Sequence, residues 1–196
     1  MKFKSEVSGI YRLKIPFDTV YTSVFLIESD HGNVLVDCAT TPADVLECIL
    51  PALAERGINS SDIKFLVLTH RHGDHSGGLN TLLSVAPDVT VVTEIRELLP
   101  GISTYALPGH TLDSIGVLDE RTNTLISGDG LQGAGVDKYR CHTDSREEYV
   151  DTLKKLRGDD RIENVLFSHA YEPWYNDCAI GRDTVLKCLA DCFDFI

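Results

Sequence analysis

Between Thr69 and His75 the chain sets three imidazoles and a carboxylate, His70-x-His72-x-Asp74-His75, directly after the apolar run Ile63-Lys64-Phe65-Leu66-Val67-Leu68. The run reads as a buried strand and Gly78 to Val85 as the helix behind it, so the polar cluster falls on the turn from strand to helix. Neutral imidazole nitrogens and carboxylate oxygens are ligands that borderline divalent metals take, and a loop leaving a rigid strand aims alternate side chains at different points. The i, i+2 spacing directs His70 and His72 at one ion. Asp74 and His75 turn toward a second, and Gly73 relieves the steric limits of so sharp a turn.

The rest of the chain reads as strands interleaved with helices. Val7–Ile15 and Val20–Ser29 are strand runs, followed by an Asp30-His31-Gly32-Asn33 turn that leaves His31 solvated, and by Val34-Leu35-Val36. Pro42 to Arg56 places Val45, Leu46, Ile49, Leu50 and Leu53 on one helical face, with Gly57 as its cap and a kink or an early stop expected at the interior Pro51. Further strands fit Val89–Thr93, Ile102–Leu107, Ile115–Leu118, Thr124–Ser127 and Glu163–Phe167. Ser145 and Glu148 form a capping box for a helix through Leu156, closed by Gly158. A last helix over about Arg182 to Phe193 buries Val185, Leu186, Leu189 and Phe193, with Cys188 and Cys192 as small apolar groups one turn apart. With no linker and no repeat, this predicts one α/β domain over residues 1–196, sheets covered by helices.

Composition narrows the functional classes. Eighteen basic against thirty acidic residues give a net charge of −12, which repels polyphosphate backbones and argues against a nucleic-acid partner. The longest apolar runs fall far short of the roughly 20 residues of a membrane-spanning helix. The polar, acidic start Met1–Glu6 lacks the apolar stretch of roughly 7–15 residues that a secretory signal carries. Six cysteines without a C-x-x-C spacing read as reduced thiols, so a cytoplasmic location is expected. The partner expected is a small-molecule substrate, anionic if the site is positive. Oligomeric state is left open.

Three more metal-ligand side chains sit where apolar runs end: His110 after Pro108-Gly109, Asp129 after Ser127-Gly128, and His169 after Ser168. Together, His70-x-His72-x-Asp74-His75, Pro108-Gly109-His110-Thr111, Ser127-Gly128-Asp129 and Ser168-His169 resemble the metallo-β-lactamase superfamily, and most of all its glyoxalase II branch. Asp37 after Leu35-Val36, and Gly77-Gly78 after the His loop, match the same pattern. The resemblance implies a four-layer αββα sandwich with two divalent metal ions, zinc foremost and iron or manganese as alternatives. It assigns His70, His72 and His110 to one ion, Asp74, His75 and His169 to the other, Asp129 as the bridge and Asp37 as a support behind the ligands.

That implies a hydrolase in which a metal-bridging hydroxide attacks an ester-, thioester- or lactone-like carbonyl, with Asp74 orienting the nucleophile. Asp129 stands where zinc β-lactamases usually carry cysteine or serine, which argues against that activity. Only 27 residues follow His169, so the helical extension that binds glutathione in glyoxalase II is expected to be absent. Asp113, Ser168 and Ala170 depart from glycines common in the family, which bears on loop geometry. Tyr139, Arg140 and His142, in the glycine-rich stretch of residues 130–144, and Tyr171 are candidate substrate contacts, that stretch a candidate lid. The alternatives are a mononuclear iron enzyme oxidising persulfides, a phosphodiesterase on the same fold, and a metal-binding protein without turnover.

Overall fold

The computed structural model describes residues 1–17, 20–131, 142–170 and 176–194. The chain divides into two compact units, Met1–Thr93 with Leu98–Pro100, and Glu94–Glu97 with Gly101–Ile196.

The first sheet runs in the order β1-β2-β3-β4-β5-β6. Its strands are β1 Lys4–Val7, β2 Ile10–Phe17, β3 Val20–Ser29, β4 Gly32–Val36, β5 Ile63–Val67 and β6 Thr90–Val92. The expected strand Val7–Ile15 begins only at Ile10, as β2, because Gly9 takes φ +76° and turns the chain back from an unexpected β1. From β1 to β4 the pairing is antiparallel, and β4-β5-β6 are parallel, joined by helical crossovers. Alternation sends Leu13, Ile15, Val24, Leu26 and Leu35 to one face, where they share a core with Val45, Ile49, Leu53 and Leu82 of the crossovers.

The helix expected from Pro42 starts there. Thr41 Oγ1 accepts the Asp44 N–H at 3.2 Å while the Asp44 carboxylate accepts the Thr41 N–H at 2.8 Å, a reciprocal cap. The helix is π-helical over Asp44–Ile49 and continues as α1, Leu50–Ala54, so its hydrogen-bond pattern changes directly before Pro51. Beyond β5 come α2, Gly73–Ser76, and α3, Leu79–Val85.

The second sheet has the order β12-β11-β10-β9-β8-β7. Its strands are β7 Glu97–Leu99, β8 Ile102–Ala106, β9 Ile115–Asp119, β10 Thr124–Ile126, β11 Asn164–Leu166 and β12 Cys178–Ile180. Helix α4, Arg146–Gly158, crosses between the parallel β10 and β11, and α5, Arg182–Asp194, follows β12. The Ser145 hydroxyl accepts the Glu148 N–H at 3.2 Å, as the capping pattern predicts. Tyr149, Leu153 and Leu156 of α4 and Val185, Cys188, Leu189 and Cys192 of α5 build one core with Leu118, Leu125, Val165 and Phe167 of the sheet side.

Gly77 and Gly78 join α2 to α3 against the segment after β4. A Cβ on Gly78 would strike the Cys38 carbonyl oxygen and lie 2.5 Å from Val45 Cγ2; one on Gly77 would strike the Thr40 carbonyl. Gly78→Ala is expected to lower stability by about 2–3 kcal/mol, an overpacking effect in which backbone has to move. A urea midpoint unchanged from the parent chain would contradict this close approach.

Candidate metal centre

In the first unit the site is built at the ends of the parallel pair β4 and β5. Asp37 follows β4 in a left-handed conformation, φ +63°, and is fully buried. Its Oδ1 accepts the Thr69 N–H at 2.8 Å, and its Oδ2 accepts the Thr69 hydroxyl at 2.9 Å and faces His75 Nδ1 at 2.8 Å. A carboxylate only accepts, so His75 carries its hydrogen on Nδ1 and leaves the Nε2 lone pair for another partner. Thr69 has a single hydroxyl hydrogen, and it points at Asp37. Toward His70 Nδ1, 3.1 Å away, the Thr69 oxygen therefore accepts, and His70 too presents Nε2 as a lone pair. One buried carboxylate thus sets the tautomer of two imidazoles, the arrangement that orients metal-ligating histidines.

The other members lie close by. The His70 ring is 4.1 Å from that of His75 and 4.6 Å from the exposed His72, centroid to centroid. Asp74 Oδ2 is 3.3 Å from His75 Nε2, and the Asp74 carbonyl is pinned by the buried Thr22 hydroxyl of β3 at 3.0 Å. Burial, and next to it the Asp37 charge, pushes the Cys38 thiol up to about 12, and its Sγ–H donates to the His75 carbonyl at 3.4 Å.

In the second unit the β10–β11 register does the positioning. Ile126 pairs with Leu166, and Asp129 and His169 each follow three residues beyond that pair. His110 stands on the turn between β8 and β9, which Thr111, Asp113 and Ser114 close: the Thr111 hydroxyl lies 2.9 Å from Asp113 Oδ1 and 2.7 Å from Ser114 Oγ. His110 Nδ1 donates to the His142 carbonyl at 2.7 Å, so its Nε2 is a lone pair as well. Asp129 divides its oxygens between two rings, Oδ1 at 3.3 Å from His169 Nε2 and Oδ2 at 3.7 Å from His110 Nε2.

A lone pair facing a carboxylate oxygen is repulsive unless a cation, a proton or a metal ion, joins them. That situation occurs at His75 with Asp74 in one unit and at His110 with Asp129 in the other, so each donor set fits a divalent metal.

Of the residues expected from sequence, His70, His72, Asp74, His75 and Asp37 gather in the first unit and His110, Asp129 and His169 in the second. His142 contributes its backbone carbonyl; its ring is 67% exposed and lies 3.3 Å from Asp144. Tyr139, Arg140 and Tyr171 lie outside the described residues. Thr69 and Thr22 were not expected. Thr69 borders the His loop directly, whereas nothing in sequence ties Thr22 to Asp74, 52 positions away. Asp37→Asn is expected to weaken metal affinity about 10–100-fold, and Thr69→Val to do so less, because each loosens the orientation of ligands without removing one. Equilibrium dialysis against a zinc buffer measures both; parent-like affinity in Asp37→Asn would refute the assigned tautomers.

The metallo-beta-lactamase superfamily model matches residues 17–100, a range that holds the His70–His75 loop and stops before His110. A hydroxyacylglutathione hydrolase of Vibrio cholerae is 28% identical over 179 residues, covering 77% of this chain and 68% of that protein. Among solved structures, a metallo-beta-lactamase of Erythrobacter litoralis superposes with a TM-score of 0.73 at 16% identity, covering 98% of this chain and 96% of that one. Rubredoxin oxygen:oxidoreductase of Desulfovibrio gigas reaches 0.70 at 16% identity, over 98% of this chain and 61% of that one. The two six-stranded sheets with their helices are those of the metallo-beta-lactamase sandwich fold. The chain thus shares the metallo-beta-lactamase sandwich fold over nearly all its length, and within residues 17–100 it matches the sequence model of that superfamily.

Proposed function

We propose that the chain is a metal-dependent hydrolase of small anionic esters, thioesters or lactones, acting as one domain with two divalent ions, zinc foremost. In this reading, which follows the sequence resemblance, His70, His72 and His110 would hold one ion, Asp74, His75 and His169 the other, with Asp129 shared between them. The observation that carries it is the set of imidazole Nε2 lone pairs, fixed at His70, His75 and His110 by hydrogen bonds behind the rings. Support for hydrolysis comes from the relatives named hydroxyacylglutathione hydrolase.

Divalent metal held there lowers the pKa of water toward neutrality and polarises a carbonyl oxygen. The chain's own groups do the rest. With Thr22 holding its carbonyl, Asp74 keeps a carboxylate oxygen in place to accept a hydrogen bond from the nucleophile and so orient it. Asp37 and Thr69 keep the rings from rotating, so the ligands do not reorganise as charge develops on the substrate oxygen. Two carboxylates, Asp74 and Asp129, against two divalent ions leave a positive centre in a chain of net charge −12, which favours an anionic substrate. Among the described residues no helix is long and apolar enough to cross a membrane.

The test is metal quantification beside turnover on thioesters, lactones, aryl esters and phosphodiesters, for the parent chain and for Asp129→Ala. About two zinc ions per chain with carbonyl-ester turnover, both reduced in Asp129→Ala, is the expected result. A single iron with oxygen uptake, or turnover confined to phosphodiesters, would overturn it, as would Asp129→Ala with full metal and rate. Asp74→Asn is expected to lower kcat about 10²–10⁴-fold with a smaller change in KM, since the lost group orients the nucleophile.

A further inference from the structure

At the open edge of the first sheet, Lys2, Lys4, Glu6, Arg12 and Lys14 line a cavity of about 300 Å³ together with Met1. Four of the chain's 18 Lys and Arg fall within residues 1–14, against one of its 30 Asp and Glu. Strand geometry concentrates them. Lys4 on β1 is the direct cross-strand partner of Arg12 on β2, and Lys14 lies two residues along, on the same face as Arg12. Like charges directly opposite on neighbouring strands destabilise a sheet, and burying a guanidinium does so further. The Arg12 side chain is fully buried nonetheless, 3.2 Å from Glu6 and 4.9 Å over the Phe25 ring. Lys14 lies 4.5 Å over the Tyr21 ring, and Lys2 reaches Glu55 at 3.2 Å. Glu6 is the one carboxylate lining the cavity. Opposed cations on an edge strand break a local rule of sheet design, and such violations collect at binding sites.

We propose that this cavity binds a small, multiply charged oxyanion of the pyrophosphate or polycarboxylate class. Arg12, held by Glu6, adds its positive charge from beneath the cavity, and the exposed Lys4 and Lys14 supply the ammonium groups that meet the anion. The cavity shares no residue with the metal donor sets, so it neither requires nor restates the hydrolase reading.

The test titrates the intact 196-residue chain with pyrophosphate, with citrate and with inorganic phosphate at constant ionic strength. Amide chemical shifts locate the binding and calorimetry gives its affinity. Saturable one-to-one binding is expected, with the largest shifts at Lys4, Ser5, Arg12 and Lys14. The double variant K4Q/K14Q, altered only at exposed side chains, is expected to keep the parent thermal midpoint and to bind pyrophosphate about tenfold more weakly or worse. Pyrophosphate ahead of citrate assigns the site to phosphoryl compounds and the reverse order to polycarboxylates; either supports the proposal. Shifts confined to His70–His75, which would report metal chelation, overturn it. So do parent-like affinity in the double variant, binding only with doubling of the molecular mass, and binding that disappears when chloride is held constant.

Discussion

A fully buried carboxylate at a left-handed backbone position is a destabilising thing to fold around, and Asp37 is tolerated because three hydrogens point at it. Two come from Thr69 and one from His75, so the same bonds that satisfy Asp37 tie the end of β4 to the end of β5 and to α2. Asp37 N–H donating to the Val67 carbonyl at 2.8 Å and Cys38 N–H to the His75 carbonyl at 2.8 Å continue the attachment through the backbone. Structure and ligand chemistry are one network here. What holds the strand ends together also decides which nitrogen of His70 and His75 is basic.

The second unit reaches a similar end by other means. Its ligands are placed by ladder register: a parallel pair that ends at Ile126 and Leu166 carries Asp129 and His169 forward in step. Side chains fixed by strand pairing lose little entropy when they bind an ion, because the ladder has already ordered their backbone. Asp113, Ser168 and Ala170, which stand where the family often has glycine, do not separate these ligands. The Asp113 carboxylate accepts the Thr111 hydroxyl and so helps close the turn that carries His110.

Most of this was legible in the sequence, and what was not shares a cause. The apolar runs at Ile63–Leu68, Ile115–Leu118 and Thr124–Ser127 predict strands because both faces of a central strand are buried and the composition says so. The unforeseen strands, β1, β7 and β12, are all edge strands, at most four residues long, with too few buried positions to print a period of two. For the site, the residues that touch the proposed ions could be read from their types and spacing. Those that hold the ligands in place could not, apart from Asp37: Thr22, Thr69 and the His142 carbonyl act through the fold, and a hydroxyl or a peptide oxygen carries no compositional mark. The helix around Pro51 shows the same limit. Sequence announces that a proline must be accommodated, but not that the turns before it become π-helical, with Val45 and Ile49 buried.

Because the main-chain oxygen of residue 142, and not its imidazole, steadies His110, the identity of that amino acid is chemically invisible to the ring it supports. The neighbouring amides of Asp144 and Ser145 lean on the carbonyls of His110 and Gly109 in the same way. Evolution or an engineer can therefore rewrite the side chains of this stretch to suit a new ligand and leave the basic nitrogen untouched. What His110 depends on is where the peptide of residue 142 lies, so any change that shifts that peptide reaches the ring whatever side chain it carries.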